Sequence, residues 1–196
     1  MSDLFGPADD AGTPLAPEEK RDLIPAHIAY RNELNAAEQA NIARGQEWAL
    51  RRRRREILDE RFLLVLHRRM FGDVWRWAGR YRTSERNLGV ASWLIATEMR
   101  TLIDDARTWI AQASYPRDEI AVRLHHRLVW IHPFANGNGR HARLVADLVV
   151  MRHGGERFSW GRGSLYSAGE LRQRYVAALR DADRHALAPL VAFARS

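Results

Sequence analysis

The chain has 196 residues, of which 46% are apolar and 28% are charged. This composition is typical of a globular domain with its own core, and the length is too short for two large domains. The formal net charge is +7, but Lys20 is the only lysine among 31 basic residues, so this arginine-dominated charge does not by itself indicate nucleic-acid binding. The absence of cysteine excludes disulfides, Cys-ligated zinc, iron–sulfur clusters and a thiol nucleophile.

The first 17 residues are predicted to be an irregular lead-in, because two glycines and three prolines interrupt any helix there. This start lacks the basic and apolar segments of a secretory signal peptide. No apolar stretch approaches the roughly 20 residues that span a bilayer. We therefore expect a soluble cytoplasmic protein without a membrane partner; export without a cleaved signal and assembly into a homo-oligomer are left open.

Apolar residues recur at helical spacing along most of the remaining chain. The predicted helices cover residues 26–50, 57–66, 99–110, 120–131, 144–151, 171–179 and 187–191. Five consecutive arginines, Arg51–Arg55, follow the first helix and are predicted to be solvated surface rather than a nucleic-acid contact. The pattern predicts an all-α domain over residues 51–196, preceded by a lead-in and helical extension over residues 1–50.

Residues 80–92 have no helical period. Tyr81, Thr83 and Val90 surround a candidate turn at Arg86-Asn87, which is typical of a β-hairpin. We therefore predict one small hairpin within the otherwise helical domain.

The residues that carry chemistry lie together at positions 132–143, between two strongly apolar helices. His132-Pro133 ends the first helix, because the residue before a proline avoids helical backbone angles. Gly137-Asn138-Gly139 then opens the second helix, since glycine adopts backbone angles closed to other residues. Free backbone N–H groups at a helix N-terminus, next to glycines and the positive end of the helix dipole, form an anion site.

Two arginines and one histidine indicate which anion this site suits. Arg140 and Arg143 are three residues apart and therefore share one helix face. Two guanidinium groups beside such a loop suit a polyphosphate better than a single carboxylate. A neutral His132 imidazole at the rim can accept a proton from an attacking hydroxyl. The pattern indicates nucleotidyl or phosphoryl transfer to a hydroxyl group.

The string His-Pro-Phe-x-x-Gly-Asn-Gly-Arg-x-x-Arg over residues 132–143 resembles the signature of the Fic family, within the Fic/Doc superfamily. Three further stretches are similar to segments of that family: Phe71–Trp75, Trp77–Gly79 with Arg82-Thr83, and Leu187–Leu190. The resemblance covers residues 56–193. The start of the chain, at Leu4–Gly6 and Leu15–Glu19, is also similar to a Fic subgroup labelled "mobile mystery protein B".

The resemblance implies a Fic-type helical bundle with a hairpin flap. It also implies transfer of AMP from ATP, with Mg²⁺ or Mn²⁺, to a Ser, Thr or Tyr hydroxyl of a target protein. His132 would be the general base, and Phe134 would anchor the loop in the core. The nucleotide would be held by Gly137, Asn138, Gly139, Arg140 and Arg143. The flap would pair with the target as an added strand through Thr83, Asn87, Leu88, Gly89 and Val90.

One position departs from the family pattern. AMP-transferring members usually carry Asp or Glu, which helps to hold Mg²⁺, where this chain has Asn136. Asparagine offers a carbonyl oxygen without a charge, whereas Mg²⁺ usually binds one or two carboxylates besides substrate phosphates. We therefore expect metal binding to be weakened at Asn136 and to depend mainly on the nucleotide.

A further expectation from the resemblance concerns regulation. Many family members carry an inhibitory helix of the pattern Ser/Thr-x-x-x-Glu-Gly/Asn, whose Glu pairs with the second arginine of the motif. The nearest match in this chain is Glu38, although Leu34 and Gln39 depart from the pattern. Glu38 is therefore the candidate inhibitory residue.

Other functions stay open on the sequence. The same site suits transfer of phosphate, UMP or phosphocholine, or removal of AMP. A Fic fold with weak catalysis would be an interaction module, and nucleic acid is not the expected partner. Toxin-like, housekeeping and effector roles all use this scaffold, so the fold alone does not settle the function.

Overall fold

Helices account for nearly all of the regular structure. The computed structural model describes residues 13–51, 56–163 and 167–196. The helices are α1 (Pro17–Lys20), α2 (Arg31–Arg51), α3 (Glu60–Phe71), α4 (Ile95–Ala111), α5 (Arg117–Ile131), α6 (Asn138–Arg152), α7 (Ala168–Asp183) and α8 (Ala188–Arg195). A 3₁₀ turn at Ser92–Leu94 precedes α4. The all-α prediction is confirmed, since the described residues contain only two isolated β-bridges and no strand.

Two features of the sequence fall outside this description: the start at Leu4–Gly6 and residues 52–55 of the arginine run. Helix α2 begins later than predicted, at Arg31. Its first turn is capped by Glu33, whose carboxylate accepts from the backbone N–H groups of Ala29 and Tyr30 at 2.8 and 3.2 Å. Among the described helices, none combines the length and the apolar character that crossing a membrane requires.

Helices α5 and α6 form the centre of the core. Leu124, Leu128 and Ile131 of α5 are buried, as are Val145 and Val150 of α6. Helix α5 packs against α4, α6 and α8, while α6 also contacts α2 and α3. Because both of these helices are fixed in the core, the short connection between them, residues 132–137, is held at both ends.

The predicted hairpin is not formed as a β-ladder. The Arg82 N–H donates to the Pro133 carbonyl at 2.9 Å, and the Val90 N–H donates to the Ile131 carbonyl at 3.3 Å. Each arm of the segment therefore bonds to the end of α5 and the loop after it, not to the other arm. We call residues 83–90 the flap; it is irregular, and residues 83–89 are exposed.

Candidate active site

The connection between α5 and α6 contains two residues in the left-handed backbone region. His132 ends α5 with φ 54° and ψ 58°, and its N–H donates to the Leu128 carbonyl at 3.2 Å. Gly137 precedes α6 with φ 78°. A Cβ atom on Gly137 would lie 2.5 Å from a ring carbon of Phe71, so both the angle and the space require glycine. A non-glycine residue in this region is uncommon, and strain of this kind clusters at functional sites.

Phe134 lies fully buried beneath the connection. The imidazole of His67, from α3, stacks on its ring with centroids 3.6 Å apart. The His141 ring of α6 meets it edge-on at 5.1 Å. This is the position that an anchor of the loop would occupy.

His67 was not singled out by the sequence, yet one of its ring nitrogens bonds to the loop and the other bonds to Gly79. The Gly79 N–H donates to His67 Nδ1 at 3.0 Å, so the ring proton sits on Nε2 and is donated to the Asn136 carbonyl at 3.1 Å. Burial lowers the pKa of His67 well below its usual value, which keeps this neutral form. A histidine on the apolar face of α3, among Leu63, Leu66 and Met70, was the available signal.

The two asparagines of the motif use their side chains inside the loop. Asn138 is buried: its Oδ1 accepts from the Phe134 N–H, and its Nδ2 donates to the Phe134 carbonyl, each at 2.9 Å. A contact of Asn138 with phosphate would therefore come from its backbone N–H. The Oδ1 of Asn136 accepts from the Gly137 N–H at 2.7 Å.

His132 has the electrostatics of a neutral base. Its side chain is half-buried, and burial lowers the pKa of the imidazole below its usual value. A hydrogen bond to the Val129 carbonyl acts in the opposite direction, while the nearby charge of Arg82 lowers the pKa further. An imidazole that is neutral at pH 7 can accept a proton from an attacking hydroxyl.

Arg140 lies on the side of the site that faces α2. Its Nη1 donates to Oε2 of Glu38 at 2.9 Å, and its guanidinium lies 4.9 Å from the centroid of the Phe71 ring. The other Glu38 oxygen, Oε1, accepts from the indole Nε1 of Trp75 at 2.6 Å. Glu38 therefore pairs with the first arginine of the motif, whereas the family resemblance implies the second, Arg143.

Arg143 lies on the side that faces α7. Its guanidinium carbon is 5.7 Å from the ring centroid of Tyr175, and the Tyr175 hydroxyl is 3.0 Å from Nε2 of His125. Burial lowers the pKa of Arg143 to about 10, and its Nη1 is buried without a hydrogen-bond partner among the described residues. A buried guanidinium nitrogen without a partner is suited to an anionic ligand.

The flap closes the third side of the site. Gly89 has φ 94°, and a Cβ atom there would lie 2.5 Å from the Cβ of His132. Farther along, the Glu85 carboxylate accepts from the N–H of Ser92 at 3.0 Å and from its hydroxyl at 2.6 Å. Thr83, Asn87 and Leu88 are exposed, as residues that meet another chain would need to be.

The described residues of the site do not form a group of metal ligands. Within the described ranges, no three His, Asp or Glu side chains come together as ligands. The amide oxygen of Asn136, the motif position where a carboxylate is expected, already accepts a hydrogen bond from Gly137. These residues do not fit a protein-held Mg²⁺, which requires carboxylate oxygens in addition to phosphates.

Comparison with known proteins found relatives that match part of the chain. Residues 57–150 match the Fic/DOC family model. A protein adenylyltransferase, fic-1, of Caenorhabditis briggsae is 34% identical over 97 residues, and the match spans 47% of this chain but only 19% of that protein. A uridine 5'-monophosphate transferase of Xanthomonas campestris is 48% identical over 48 residues, which are 22% of this chain and 9% of that protein.

A solved structure of Fic-1 from Caenorhabditis elegans has a similar fold. It superposes with a TM-score of 0.65 at 27% sequence identity, covering 88% of this chain and 50% of the solved one. The loop from His132 to Arg143 and the helices that hold it lie within the segment that the family model matches. Residues 57–150 therefore match the Fic/DOC family in sequence, and the chain shares its fold with a solved Fic-1 structure.

Proposed function

We propose that the chain transfers AMP from ATP to a Ser, Thr or Tyr hydroxyl of a target protein. The observation that carries this proposal is the connection between α5 and α6, which sets His132 at one end and the N-terminus of α6 at the other. The name of the fic-1 relative, a protein adenylyltransferase, supports the same reaction.

The reaction assigns one task to each group. The His132 imidazole accepts the hydroxyl proton while the hydroxyl oxygen attacks the α-phosphorus of ATP. The new P–O bond forms as the bond from the α-phosphorus to the oxygen bridging to the β-phosphate breaks, and pyrophosphate leaves. The backbone N–H groups of residues 138 and 139 would hold phosphate oxygens, since the N–H of Gly137 already donates to Asn136, and the buried Nη1 of Arg143 would meet an outer phosphate. Mg²⁺ or Mn²⁺ would arrive with the nucleotide, and no step is assigned to it.

The test is auto-modification with ATP labelled at the α- or the γ-phosphate, in Mg²⁺ or Mn²⁺. We expect protein-bound label from the α position, lost in His132→Ala and retained in His153→Ala, which alters an exposed histidine at the end of α6. Label from the γ position alone would show phosphate transfer instead. Retention of α-label in His132→Ala would contradict the assigned base.

Transfer of UMP is a second candidate, because the Xanthomonas campestris relative named as a uridine 5'-monophosphate transferase shares 48% identity over 48 residues. The same attack on an α-phosphorus would apply, and only the nucleobase of the donor would differ. UTP labelled at the α position, used in parallel with ATP, separates the two donors. Stronger labelling from UTP would replace the AMP proposal.

We further propose that Glu38 restrains the activity of the site. Its carboxylate engages Arg140, and the Trp75 indole holds the second oxygen, so the pair keeps Arg140 turned toward α2. The substitution Glu38→Gly is expected to increase α-label incorporation several-fold, because Arg140 could then turn to the nucleotide.

The control for this prediction is Glu47→Gly, an exposed position on the same helix. It carries the same destabilising effect of glycine in a helix, about 1 kcal/mol, without touching Arg140. Equal incorporation of label in the two glycine variants would show that Glu38 does not restrain the activity.

A further inference from the structure

Arg82, the residue before the flap, is a buried cation that the proposed reaction does not use. It is 5% exposed. Its Nε donates to the His132 carbonyl at 2.8 Å, its Nη1 donates to the Ser84 carbonyl at 3.0 Å, and its Nη2 donates to the Val90 carbonyl. Within the described part of the chain, the hydrogen-bond partners of this guanidinium are thus all backbone carbonyls.

The three carbonyls belong to three parts of the site. One is the carbonyl of His132, the candidate general base, and the other two, of Ser84 and Val90, lie at the start and the end of the flap. Two backbone bonds reinforce the arrangement, from Arg82 to Pro133 at 2.9 Å and from Val90 to Ile131 at 3.3 Å. The two ends of the flap and the end of α5 therefore form one hydrogen-bonded unit around the Arg82 side chain.

Gly89 shows how tightly this unit is packed. A Cβ atom at Gly89 would lie 2.5 Å from the Cβ of His132, 2.8 Å from Nη2 of Arg82 and 2.9 Å from the Ile131 carbonyl oxygen. The flap backbone thus rests directly on His132 and the guanidinium. The flap cannot move further toward the site at this point without displacing one of the two.

We propose that Arg82 is a positioning residue that couples the flap to His132, so that a target held by the flap meets a correctly oriented base. It acts through these neighbours and does not touch the reacting atoms. A guanidinium is suited to this task, because its planar fork donates in several fixed directions, whereas a lysine ammonium is a point charge on a flexible stem. This inference rests on the proposed function, since it assigns the flap to the target and the base to His132.

The kinetic test compares Arg82→Lys with the control Arg80→Lys, which alters an exposed arginine two residues away. Initial rates of auto-modification are measured as a function of ATP concentration. For Arg82→Lys we expect the maximal rate to fall at least tenfold while the half-saturating ATP concentration stays within twofold of that of the parent chain. An unchanged maximal rate overturns the proposal. A parallel tenfold rise in half-saturating ATP also overturns it, since that result indicates general damage to the site.

A second measurement does not depend on activity. The protease Glu-C cleaves after Glu85, inside the flap, and mass spectrometry follows that one bond. We expect cleavage at least fivefold faster in Arg82→Lys than in the parent chain or in Arg80→Lys. The variant Gly89→Ala, which retains the guanidinium but adds the clashing Cβ, is expected to accelerate it similarly.

The two measurements separate failure of this inference from failure of the proposed function. If the parent chain transfers no AMP, Glu-C cleavage still reports whether Arg82 fastens the flap. If cleavage at Glu85 is equally slow in the parent chain, Arg82→Lys and Gly89→Ala, Arg82 does not couple the flap to His132, whatever the reaction.

Discussion

Three buried histidines around the site make stability depend on pH. Burial lowers the pKa of His141 from 6.5 to about 4, and it lowers those of His67 and His125 well below 6.5. As the pH falls below 6.5, these three histidines therefore take up protons in the unfolded chain but stay neutral in the folded chain. The stabilisation is complete above pH 6.5 and is lost progressively as the pH falls toward the folded pKa values.

The predicted result is a fall in the free energy of unfolding between pH 7.5 and pH 5, measured by urea denaturation. His141 alone accounts for about 2 kcal/mol of this loss at pH 5, from its shift of pKa. In His141→Gln the loss is expected to be smaller by that amount. His153→Gln, at an exposed histidine, should retain the full loss. Parallel curves for His141→Gln and the parent chain would contradict this assignment.

At the scale of the element, the start of α6 depends on Gly137. Gly137 and Gly154 have nearly equal φ angles, 78° and 79°, but their surroundings differ. A Cβ at Gly137 would meet the Phe71 ring at 2.5 Å, while a Cβ at Gly154 would meet nothing within 4 Å. Both Gly→Ala variants incur the strain of the left-handed region, about 1–2 kcal/mol. Only Gly137→Ala adds a collision with the core.

We therefore expect Gly137→Ala to lower the free energy of unfolding by at least 1 kcal/mol more than Gly154→Ala does, since overpacking of a core costs roughly 1–3 kcal/mol. Gly137→Ala should also weaken ATP binding at least tenfold, because the N-terminus of α6 is displaced, while Gly154→Ala should bind ATP normally. Urea denaturation and titration with ATP measure both effects. Equal destabilisation would mean that Phe71 moves aside without cost.

Helical periodicity was sufficient to predict the core helices of this chain. The spacing of apolar residues in α4 and α5 and the nearly continuous apolar run in α6 correspond to buried faces. The structure of the flap was harder to predict, because this short segment contains residues that are typical of strands. Its backbone groups bond instead to Pro133 and Ile131, and the Arg82 side chain occupies carbonyls of both arms. No local pattern encodes the contacts of Arg82 with Pro133 and of Val90 with Ile131, which lie 51 and 41 positions apart.

The same limit applies to the site. The motif residues could be identified because they are contiguous, so one loop brings them together. Their partners come from distant elements: His67 from α3, Glu38 from α2 and Tyr175 from α7. His67 and Tyr175 are ordinary helix residues in sequence, and only the family resemblance singled out Glu38. The contacts of the three residues with Phe134, Arg140 and Arg143 form only through tertiary packing.

At the scale of the whole molecule, the site extends beyond the segment that defines the family. The family model covers residues 57–150, yet Glu38 precedes that segment and Tyr175 follows it. The two flank the site, since Glu38 engages the first arginine of the motif and Tyr175 lies against the second. Helices outside the matched segment thus contact the candidate site directly.

This conclusion can be tested by removing a single atom, the hydroxyl oxygen of Tyr175. The substitution Tyr175→Phe keeps the ring beside Arg143 but removes the hydroxyl that lies 3.0 Å from His125 Nε2. The buried nitrogen then has no partner, which costs about 1–3 kcal/mol of folding free energy. Because that hydroxyl also lies 3.8 Å from the Cβ position at Gly139, beside the start of α6, we expect ATP affinity to fall several-fold.

Tyr115→Phe is the matched control, since Tyr115 also lies against an arginine, Arg123 at 4.0 Å, but away from the α5–α6 connection. Urea denaturation and ATP titration of both variants separate a local from a general effect. If Tyr175→Phe is destabilised but binds ATP like the parent chain, α7 supports the fold without shaping the site. A loss of affinity confined to Tyr175→Phe means instead that a helix outside the matched segment holds Arg143 in place for the nucleotide.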